Sequence, residues 1–371
     1  MEDSRQRLRP PSRCRRLVPL WARGACALAC FVVVMACQPQ APLEEWTLEL
    51  EQDTTIGAEP VTLQTALYRP RALGFDHRGN VFVLDAGNHR VQVFDPDGVY
   101  LRTIGEAGSG PGQLTDPQGM FVHGDGRVWI ADTHNRRIQP YTAGGSPLAP
   151  LTLEFFPLDL VVAQDRIFVQ RMPQTNMVYG PDPQPLISVL DPSGNLTGGF
   201  VEPVSTAIGI LYMLENMLAL APAPNGGIAV SNTHFSSRIR AYGIGGSLVR
   251  EIPVLYKAGA WAPLGRRPAQ INDASLARLA RTSSALAWDA GRQLFWVLAG
   301  YVDQTPEGEW IIGREVYRYN AAGEYRGSLM LPQRAIKIAA GPDGRFWTID
   351  MEGIVRAFRV TDPDTAPQSQ P

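Results

Sequence analysis

The sequence predicts an all-β protein in which short antiparallel strands form several small sheets. Two observations lead to this prediction: turn-forming residues are abundant along the whole chain, and the sequence repeats itself from residue 72 onward. The 36 glycines and 31 prolines among 371 residues are spread rather than clustered, which indicates many tight turns between short strands. A chain of this length can form one large domain or two ordinary ones.

The first two repeat units are separated by a constant spacing. Each contains four short apolar strands joined by turns of Gly, Asp, Asn and Pro, which is typical of an antiparallel meander. One meander cannot bury both of its faces, whereas meanders stacked radially cover one another. A spacing of 47 residues relates three pairs of equivalent residues, which are Gly79 and Gly126, Asp85 and Asp132, and Arg90 and Arg137.

Four further units follow with the same order of strands and turns. Unit 3 has strands at 158–162, 166–169 and 186–190, and unit 4 has strands at 217–221, 227–231 and 238–242. Unit 5 has strands at 285–288, 294–298 and 315–319, and unit 6 has strands at 336–340, 345–350 and 354–360. The sequence thus contains six units in total.

The sixth unit lacks an outer strand, because the tail 361–371 is too rich in proline and polar residues to form one. A spare strand lies near the N-terminus. The segment 46–57 ends in Thr55-Ile56-Gly57, which matches Thr103-Ile104-Gly105 at the end of the first outer strand. We therefore predict a six-bladed β-propeller over residues 46–360, in which the N-terminal strand closes the last blade.

The middle strands of the first two units are followed by a shared motif, Asp-x-x-Asn-x-Arg and an apolar residue. It occurs as Asp85 to Val91 and as Asp132 to Ile138, and a degraded copy runs from Asn232 to Ile239. The motif resembles the NHL repeat, and this resemblance implies a six-bladed propeller. The Asp and Arg of each motif face each other across a hairpin, so we interpret them as holding that turn rather than as catalytic groups.

The N-terminus has the features of an export signal. Residues 5–23 contain seven arginines, and the apolar run 25–36 is too short to span a bilayer as a helix. The run ends Val34-Met35-Ala36-Cys37, which resembles the lipobox of bacterial lipoproteins. This resemblance implies a signal peptide over 1–36, lipidation of Cys37 and a tether over 37–45. The protein would then be anchored in the cell envelope, facing the periplasm or the exterior; the alternative is an ordinary signal peptide or a weak anchor.

Cysteine placement and charge exclude several classes of function. All four cysteines lie within residues 14–37, so the predicted propeller has neither disulfides nor cysteine-based metal sites. Residues 1–36 hold seven arginines and two acidic residues, and removing them changes the net charge from −2 to −7. No basic stripe remains, which argues against a nucleic-acid partner.

The lengths of the connections predict which face of the ring carries function. Turns between strands a and b and between c and d are short, whereas the long connections all join b to c or one blade to the next. These long connections are 170–185, 201–216, 255–284 and 299–314, and they share one face at the channel mouth. We predict that this face binds a peptide, a glycan or a partner protein. The candidate ligand-binding residues there are Arg171, Tyr179, Tyr212, Trp261, Tyr301 and Trp310.

An enzyme is the alternative hypothesis. NHL-type propellers include peptidyl-α-hydroxyglycine lyases, which hold zinc with histidines at the channel mouth. The resemblance implies a divalent metal site at His134, His234 and Glu352, which lie on alternate blades. Such a protein would be a metal-dependent lyase, or a lactonase-like hydrolase. The chain departs from the lyase pattern, with Pro117-Gln118 and Pro332-Gln333 where the lyases have histidines, and no motif for another cofactor is present.

Overall fold

The computed structural model describes residues 48–57, 62, 65–173, 184–205, 209–234, 238–254, 283–299, 303–304, 310–311 and 313–361. The predicted signal peptide and tether (1–45) and residues 362–371 of the predicted tail lie outside this part of the chain. No helix of the described residues is long and apolar enough to cross a membrane.

Blades 1 to 3 follow one another along the chain, and each runs from an inner to an outer strand. A single strand, β1 (Glu49–Ile56), comes before them. Blade 1 contains β2 (Pro70–Phe75), β3 (Val81–Asp85), β4 (Arg90–Phe94) and β5 (Tyr100–Ile104). A small parallel pair follows, β6 (Glu106–Ala107) and β7 (Gln113–Leu114). Blade 2 contains β8 (Pro117–Val122), β9 (Val128–Asp132), β10 (Arg137–Tyr141) and β11 (Leu151–Thr152). Blade 3 contains β12 (Pro157–Ala163), β13 (Arg166–Arg171), β14 (Ile187–Leu190) and β15 (Leu196–Phe200).

Blades 4 to 6 have the same order of strands. A helix, α1 (Gly209–Glu215), precedes blade 4, which contains β16 (Leu218–Pro222), β17 (Ile228–Asn232), β18 (Arg238–Tyr242) and β19 (Leu248–Pro253). Blade 5 contains β20 (Ser283–Asp289), β21 (Leu294–Ala299), β24 (Glu315–Asn320) and β25 (Tyr325–Met330). A small antiparallel pair, β22 (Asp303–Gln304) and β23 (Trp310–Ile311), lies between β21 and β24 in the sequence. Blade 6 contains β26 (Ala335–Ala340), β27 (Phe346–Asp350) and β28 (Val355–Thr361). Two short 3-10 turns are Ala86–Asn88 and Pro224–Gly226.

The ring is closed by the N-terminal strand. β1 pairs antiparallel with β28, with Glu49 opposite Thr361 and Ile56 opposite Val355, so it is the outer strand of blade 6. The inner strands contact each other in the circular order β2, β8, β12, β16, β20, β26 and back to β2. The predicted six-bladed propeller with N-terminal closure is therefore confirmed.

The core lies between neighbouring blades, because each sheet is covered on both faces. All five residues of β3 are buried, and so are all five of β27. Such strands are near-continuous apolar runs rather than alternating ones. Between blades 1 and 2, Phe82 and Leu84 pack in one cluster with Ile130. Burial of about 2 kcal/mol per large apolar side chain, repeated at every interface, holds the ring together without disulfides.

The short turns are formed by side chains that hydrogen-bond to the backbone. Between β4 and β5, Asp95 Oδ1 accepts from the amides of Asp97 (3.0 Å) and Val99 (2.8 Å). Gly98 in the same turn has a φ of 87°, a left-handed conformation that glycine adopts without strain. The Asp-Pro-Asp-Gly sequence thus specifies a tight hairpin.

Candidate functional site in the central channel

The Asp of each NHL-type motif joins two parts of the backbone. In blade 2, Asp132 is fully buried, and its Oδ1 accepts from the amide of Thr115 (2.7 Å). Its Oδ2 accepts from Asn135 Nδ2 (2.8 Å) and Arg137 Nε (2.8 Å). In blade 1, Asp85 Oδ2 accepts in the same way from Asn88 Nδ2 (2.9 Å) and Arg90 Nε (2.8 Å). The carboxylates are therefore saturated by structural hydrogen bonds.

The Arg of the motif ties each blade to the connection that enters it. Arg137 donates from Nη2 to the carbonyls of Gly110 (2.9 Å) and Gln113 (2.6 Å), which lie between blades 1 and 2. In the same way, Arg90 Nη2 donates to Ala66 O (2.9 Å) ahead of blade 1. The structural interpretation of these pairs agrees with these contacts, but the pairs hold the preceding connection as well as their own hairpin.

In the degraded motif of blade 4, a different arginine binds the residue that takes the place of the Asp. Asn232 Oδ1 accepts from Arg240 Nη2 (2.6 Å), whereas Arg238 pairs with Glu251 (2.5 Å). Arg240 lies two residues further along β18, on the same face as Arg238, because side chains of a strand alternate between faces. The guanidinium partner is therefore retained in blade 4, although the sequence spacing has changed.

The three metal-ligand candidates are not brought together. His134 is exposed, and its Nε2 lies 3.5 Å from Asp116 Oδ2. His234 is buried, with Nδ1 2.8 Å from Thr233 Oγ1, and Glu352 is exposed in a turn. No group of three or more His, Cys, Asp or Glu within the described residues could hold a metal ion. The physical reason is that each candidate follows the end of a middle strand in its own blade, and blades 2, 4 and 6 are not neighbours in the ring.

The ligand-binding candidates divide into buried residues and residues outside the described part. Tyr212 on α1 is only 3% exposed, and burial raises the pKa of its phenol, so its side chain packs against the protein. Arg171 ends β13 with its guanidinium carbon 4.3 Å from the ring centre of Phe155, and burial lowers its pKa, so it packs inward as well. Tyr179, Trp261 and Tyr301 lie outside the described residues, and Trp310 is described only as part of β23. A ligand-binding role for all six candidates stays a prediction.

The six inner strands enclose a cavity of about 330 Å³ at the centre of the ring. Every blade contributes at least one large apolar side chain to its wall. These are Leu73, Met120, Leu160, Leu220, Leu286 and Ile338. The cavity also reaches the short turns after the inner strands, at His77, Gly124, Gly291 and Pro342. The described cavity therefore extends toward the face of short turns, which is opposite to the face that the sequence analysis predicted to bind ligand.

Within the described part of the chain, four ionisable side chains line the cavity, and two of them are held in a turn. Asp76 Oδ1 accepts from the amides of Arg78 (2.9 Å) and Asn80 (3.0 Å), and its Oδ2 accepts from Asn80 Nδ2 (2.7 Å). His77 Nδ1 lies 2.6 Å from Gly124 O in the next blade. These contacts fix the turn between β2 and β3 and leave Asp159 and Lys337 as the remaining charged groups of the wall.

Asp159 and Lys337 form an ion pair across the channel. Asp159 is on the inner strand of blade 3 and Lys337 on that of blade 6, which lie opposite each other in a six-membered ring. Lys337 Nζ is 3.6 Å from Asp159 Oδ2, and their side chains are 24% and 18% exposed. Asp159 Oδ1 accepts from the amide of Leu160 (2.9 Å). The two charges thus meet inside the channel rather than at its rim.

The strand register explains how the two charged side chains fit there. In each inner strand, one residue pairs with the penultimate residue of the neighbouring middle strand. We call this set the channel layer: Ala72, Gly119, Asp159, Ala219, Ala285 and Lys337. Four of the six are Gly or Ala, because the inner strands approach closely at this level. A Cβ on Gly119 would lie 2.6 Å from Asp159 Oδ1 and 2.6 Å from its Cα, so blade 3 can approach only because residue 119 has no side chain.

Neither Asp159 nor Lys337 was identified from the sequence. Both lie in units without an intact Asp-x-x-Asn-x-Arg motif, so there was no fixed point from which to align their inner strands. The signal that could have found them is the channel layer itself. When the six inner strands are aligned by their register with the middle strands, the channel-layer position holds four small residues and two residues of opposite charge.

Comparison with known sequences supports the repeat assignment. Residues 75–179 match a protein family described as "6-bladed beta-propeller". Over 75 residues the chain is 32% identical to NHL repeat-containing protein 3 of Homo sapiens, and equally to that of Mus musculus. The aligned stretch covers 19% of this chain and 22% of each relative, so the chain spans about a fifth of the length of the curated relatives it matches.

Comparison with solved structures gives the same fold. A streptogramin B lyase superposes with a TM-score of 0.52 at 13% identity, covering 86% of this chain and 100% of that one. A DUF4221 family member from Bacteroides vulgatus gives 0.59 at 12% identity, with coverages of 86% and 100%. A gluconolactonase from Xanthomonas campestris gives 0.51 at 16% identity, with coverages of 85% and 90%. At such identities these likenesses show the fold alone. The chain is a six-bladed β-propeller with NHL-type repeats.

Proposed function

We propose that this protein is a ligand-binding lipoprotein of the cell envelope, which holds a small molecule in the central channel of its propeller. The observation that carries the proposal is the cavity of about 330 Å³ enclosed by all six inner strands. Small-molecule sites have volumes of roughly 300–1,000 Å³, and they combine apolar walls with a few polar groups. The wall of six apolar side chains with the Asp159–Lys337 pair has this composition.

The tether would keep the propeller close to the membrane. Cys37 is the proposed lipidation site, and the first described strand begins at Glu49. A single acyl chain binds membranes only marginally, and stable anchoring takes two or more chains, as bacterial lipoproteins carry.

Replacement of Cys37→Ser should release the protein from the membrane fraction. The thiol that carries the lipid is lost, whereas the propeller sequence is unchanged. Cell fractionation with intact mass measurement checks this result, and Cys30→Ser serves as a matched control that leaves the lipobox complete. If the Cys37→Ser protein stays with the membranes at the mass of the parent, lipidation is wrong and a retained signal anchor takes its place.

Filling the channel should abolish ligand binding. Ala340 ends the inner strand of blade 6, lines the cavity and is half-buried. We expect that at least one compound from a panel of amino acids, monosaccharides, hydroxy acids and nucleosides raises the melting temperature of the full chain. A ligand at about 100 times its Kd stabilises the folded state by about 2.7 kcal/mol. Ala340→Phe should remove this stabilisation.

The matched control places the same bulk elsewhere. Ala322 lies in the exposed turn between β24 and β25, and Ala322→Phe should leave the ligand-induced shift unchanged. Circular dichroism of both variants shows that the propeller is intact. A shift that survives in Ala340→Phe would place the ligand outside the channel, and a panel without any stabilising compound would remove the support for binding.

A further inference from the structure

We infer that the Asp159–Lys337 pair recognises a small zwitterion, a molecule with an ammonium group and a carboxylate on a compact apolar body. The inference rests on the proposed function and names the ligand class of the same channel. Asp159 would accept hydrogen bonds from the ligand ammonium, and Lys337 would donate to its carboxylate. The pair thus supplies one complementary group for each charge of such a ligand.

The geometry of the pair is loose for a structural ion pair. Charge-assisted N–H···O bonds are about 2.7–2.9 Å long, whereas Lys337 Nζ lies 3.6 Å from Asp159 Oδ2. Among the described residues, Asp159 is the one ion-pair partner of Lys337. The ammonium of Lys337 makes no hydrogen bond to any of these residues. The Lys337 side chain is 24% exposed, so its ammonium can donate hydrogen bonds to a ligand in the channel.

The environment of the pair argues for recognition rather than for bracing of the ring. The other four residues of the channel layer are Gly or Ala. Small residues therefore suffice for the strands to pack at this level, and packing does not require the two charged side chains. The two side chains make no hydrogen bond to each other, and the cost of partial desolvation offsets their Coulomb attraction, so the contribution of the pair to stability is small. A ligand that supplies both opposite charges would compensate each group separately.

The side-chain chemistry allows the pair to open. Lysine carries its ammonium on a flexible four-carbon stem, so Nζ can move away from Asp159 while its attachment on β26 stays fixed. Asp159 is shorter and is held through Oδ1 by the amide of Leu160, which leaves Oδ2 directed at the incoming charge. The apolar body of the ligand would then contact the cavity wall at Leu160 and Ile338.

Calorimetric titration of the full chain tests the ligand class. Glycine, L-alanine and L-leucine present the same two charges with an increasing apolar body. N-acetyl-L-leucine lacks the ammonium, and 3-methylbutylamine lacks the carboxylate. We expect at least one of the amino acids to bind. Each charge-deleted analogue of leucine should bind at least tenfold more weakly than leucine, or not at all.

Two variants assign the charges to the two residues. Asp159→Asn should weaken binding of the amino acid, and the protein should no longer bind leucine more tightly than N-acetyl-L-leucine. Lys337→Met should also weaken binding of the amino acid, and the protein should no longer bind leucine more tightly than 3-methylbutylamine. Arg326→Met, which removes an exposed cation from β25, is the matched control and should bind as the parent does. Melting curves of all three variants show that they are folded.

Two results would overturn the inference: none of the three amino acids binds, or the analogues bind as tightly as leucine. The two proposals fail separately. If another compound stabilises the full chain and Ala340→Phe excludes it, while the leucine series shows no charge dependence, the channel remains the binding site and the zwitterion inference falls.

Discussion

Deletion of residues 48–57 is expected to prevent formation of a stable propeller. The deletion removes β1, which is paired along its length with β28, and leaves the edge of β28 open to other chains. It also removes Leu48 and Ile56, which are 4% and 2% exposed and pack in the cores on either side of blade 6. Each such side chain contributes about 1.5–3 kcal/mol of burial, against a total stability of about 5–15 kcal/mol.

The measurement is the yield of soluble protein and its melting temperature. We expect aggregation, or a fall in the melting temperature of about 10 °C or more. Each 1 kcal/mol of lost stability lowers the melting temperature by about 2–4 °C in domains of roughly 150–250 residues, and by a similar or smaller amount in a larger one. Removal of residues 362–371 is the control and should leave the melting temperature unchanged. A milder variant, Ile56→Asp, should lower it without removing the strand. Equal melting temperatures for the two deletions would contradict closure by the N-terminal strand.

Asp132→Ala is expected to cost about 3–5 kcal/mol of stability, which is the usual effect of breaking a buried ion pair on one side. Asp132 is fully buried and accepts from Thr115, Asn135 and Arg137. Its removal leaves the guanidinium of Arg137, which is 8% exposed, without its carboxylate. The connection between blades 1 and 2 also loses the bond that holds the Thr115 amide.

The exposed pair of Asp125 and Arg127 provides the comparison within the same blade. Its two atoms are 2.8 Å apart, as in the buried pair, but both side chains are 47% exposed. Asp125→Ala should therefore cost less than about 1 kcal/mol. Urea denaturation of the two variants gives the free energies of unfolding. Similar losses in both would show that burial of Asp132 is not what makes its contacts strong.

Much of the fold could be predicted because the repeat is local. The motif from Asp85 to Val91 and its copy at Asp132 to Ile138 fix the positions of turns and strands over short stretches of sequence. Closure of the ring could also be predicted from the sequence, since Thr55-Ile56-Gly57 matches the end of the outer strand of blade 1. These inferences needed only patterns that lie within one blade.

The candidate site could not be predicted in the same way, because it depends on contacts between blades. Asp159 and Lys337 come together only when six inner strands are set in register around a channel. Tyr212 shows a second difficulty: it was selected as an aromatic residue in a long connection, and the sequence did not show that its side chain on α1 is buried. Asn232 likewise pairs with Arg240 instead of Arg238, because the strand face decides the contact, not the spacing.

The most direct test of the central claim is a crystal structure of the full chain, with the panel compound that stabilises it most. We expect the compound to lie within the ring of inner strands, in contact with Asp159 and Lys337, and the two side chains to have separated. A structure in which the compound lies outside the channel, with Lys337 still 3.6 Å from Asp159, would contradict it.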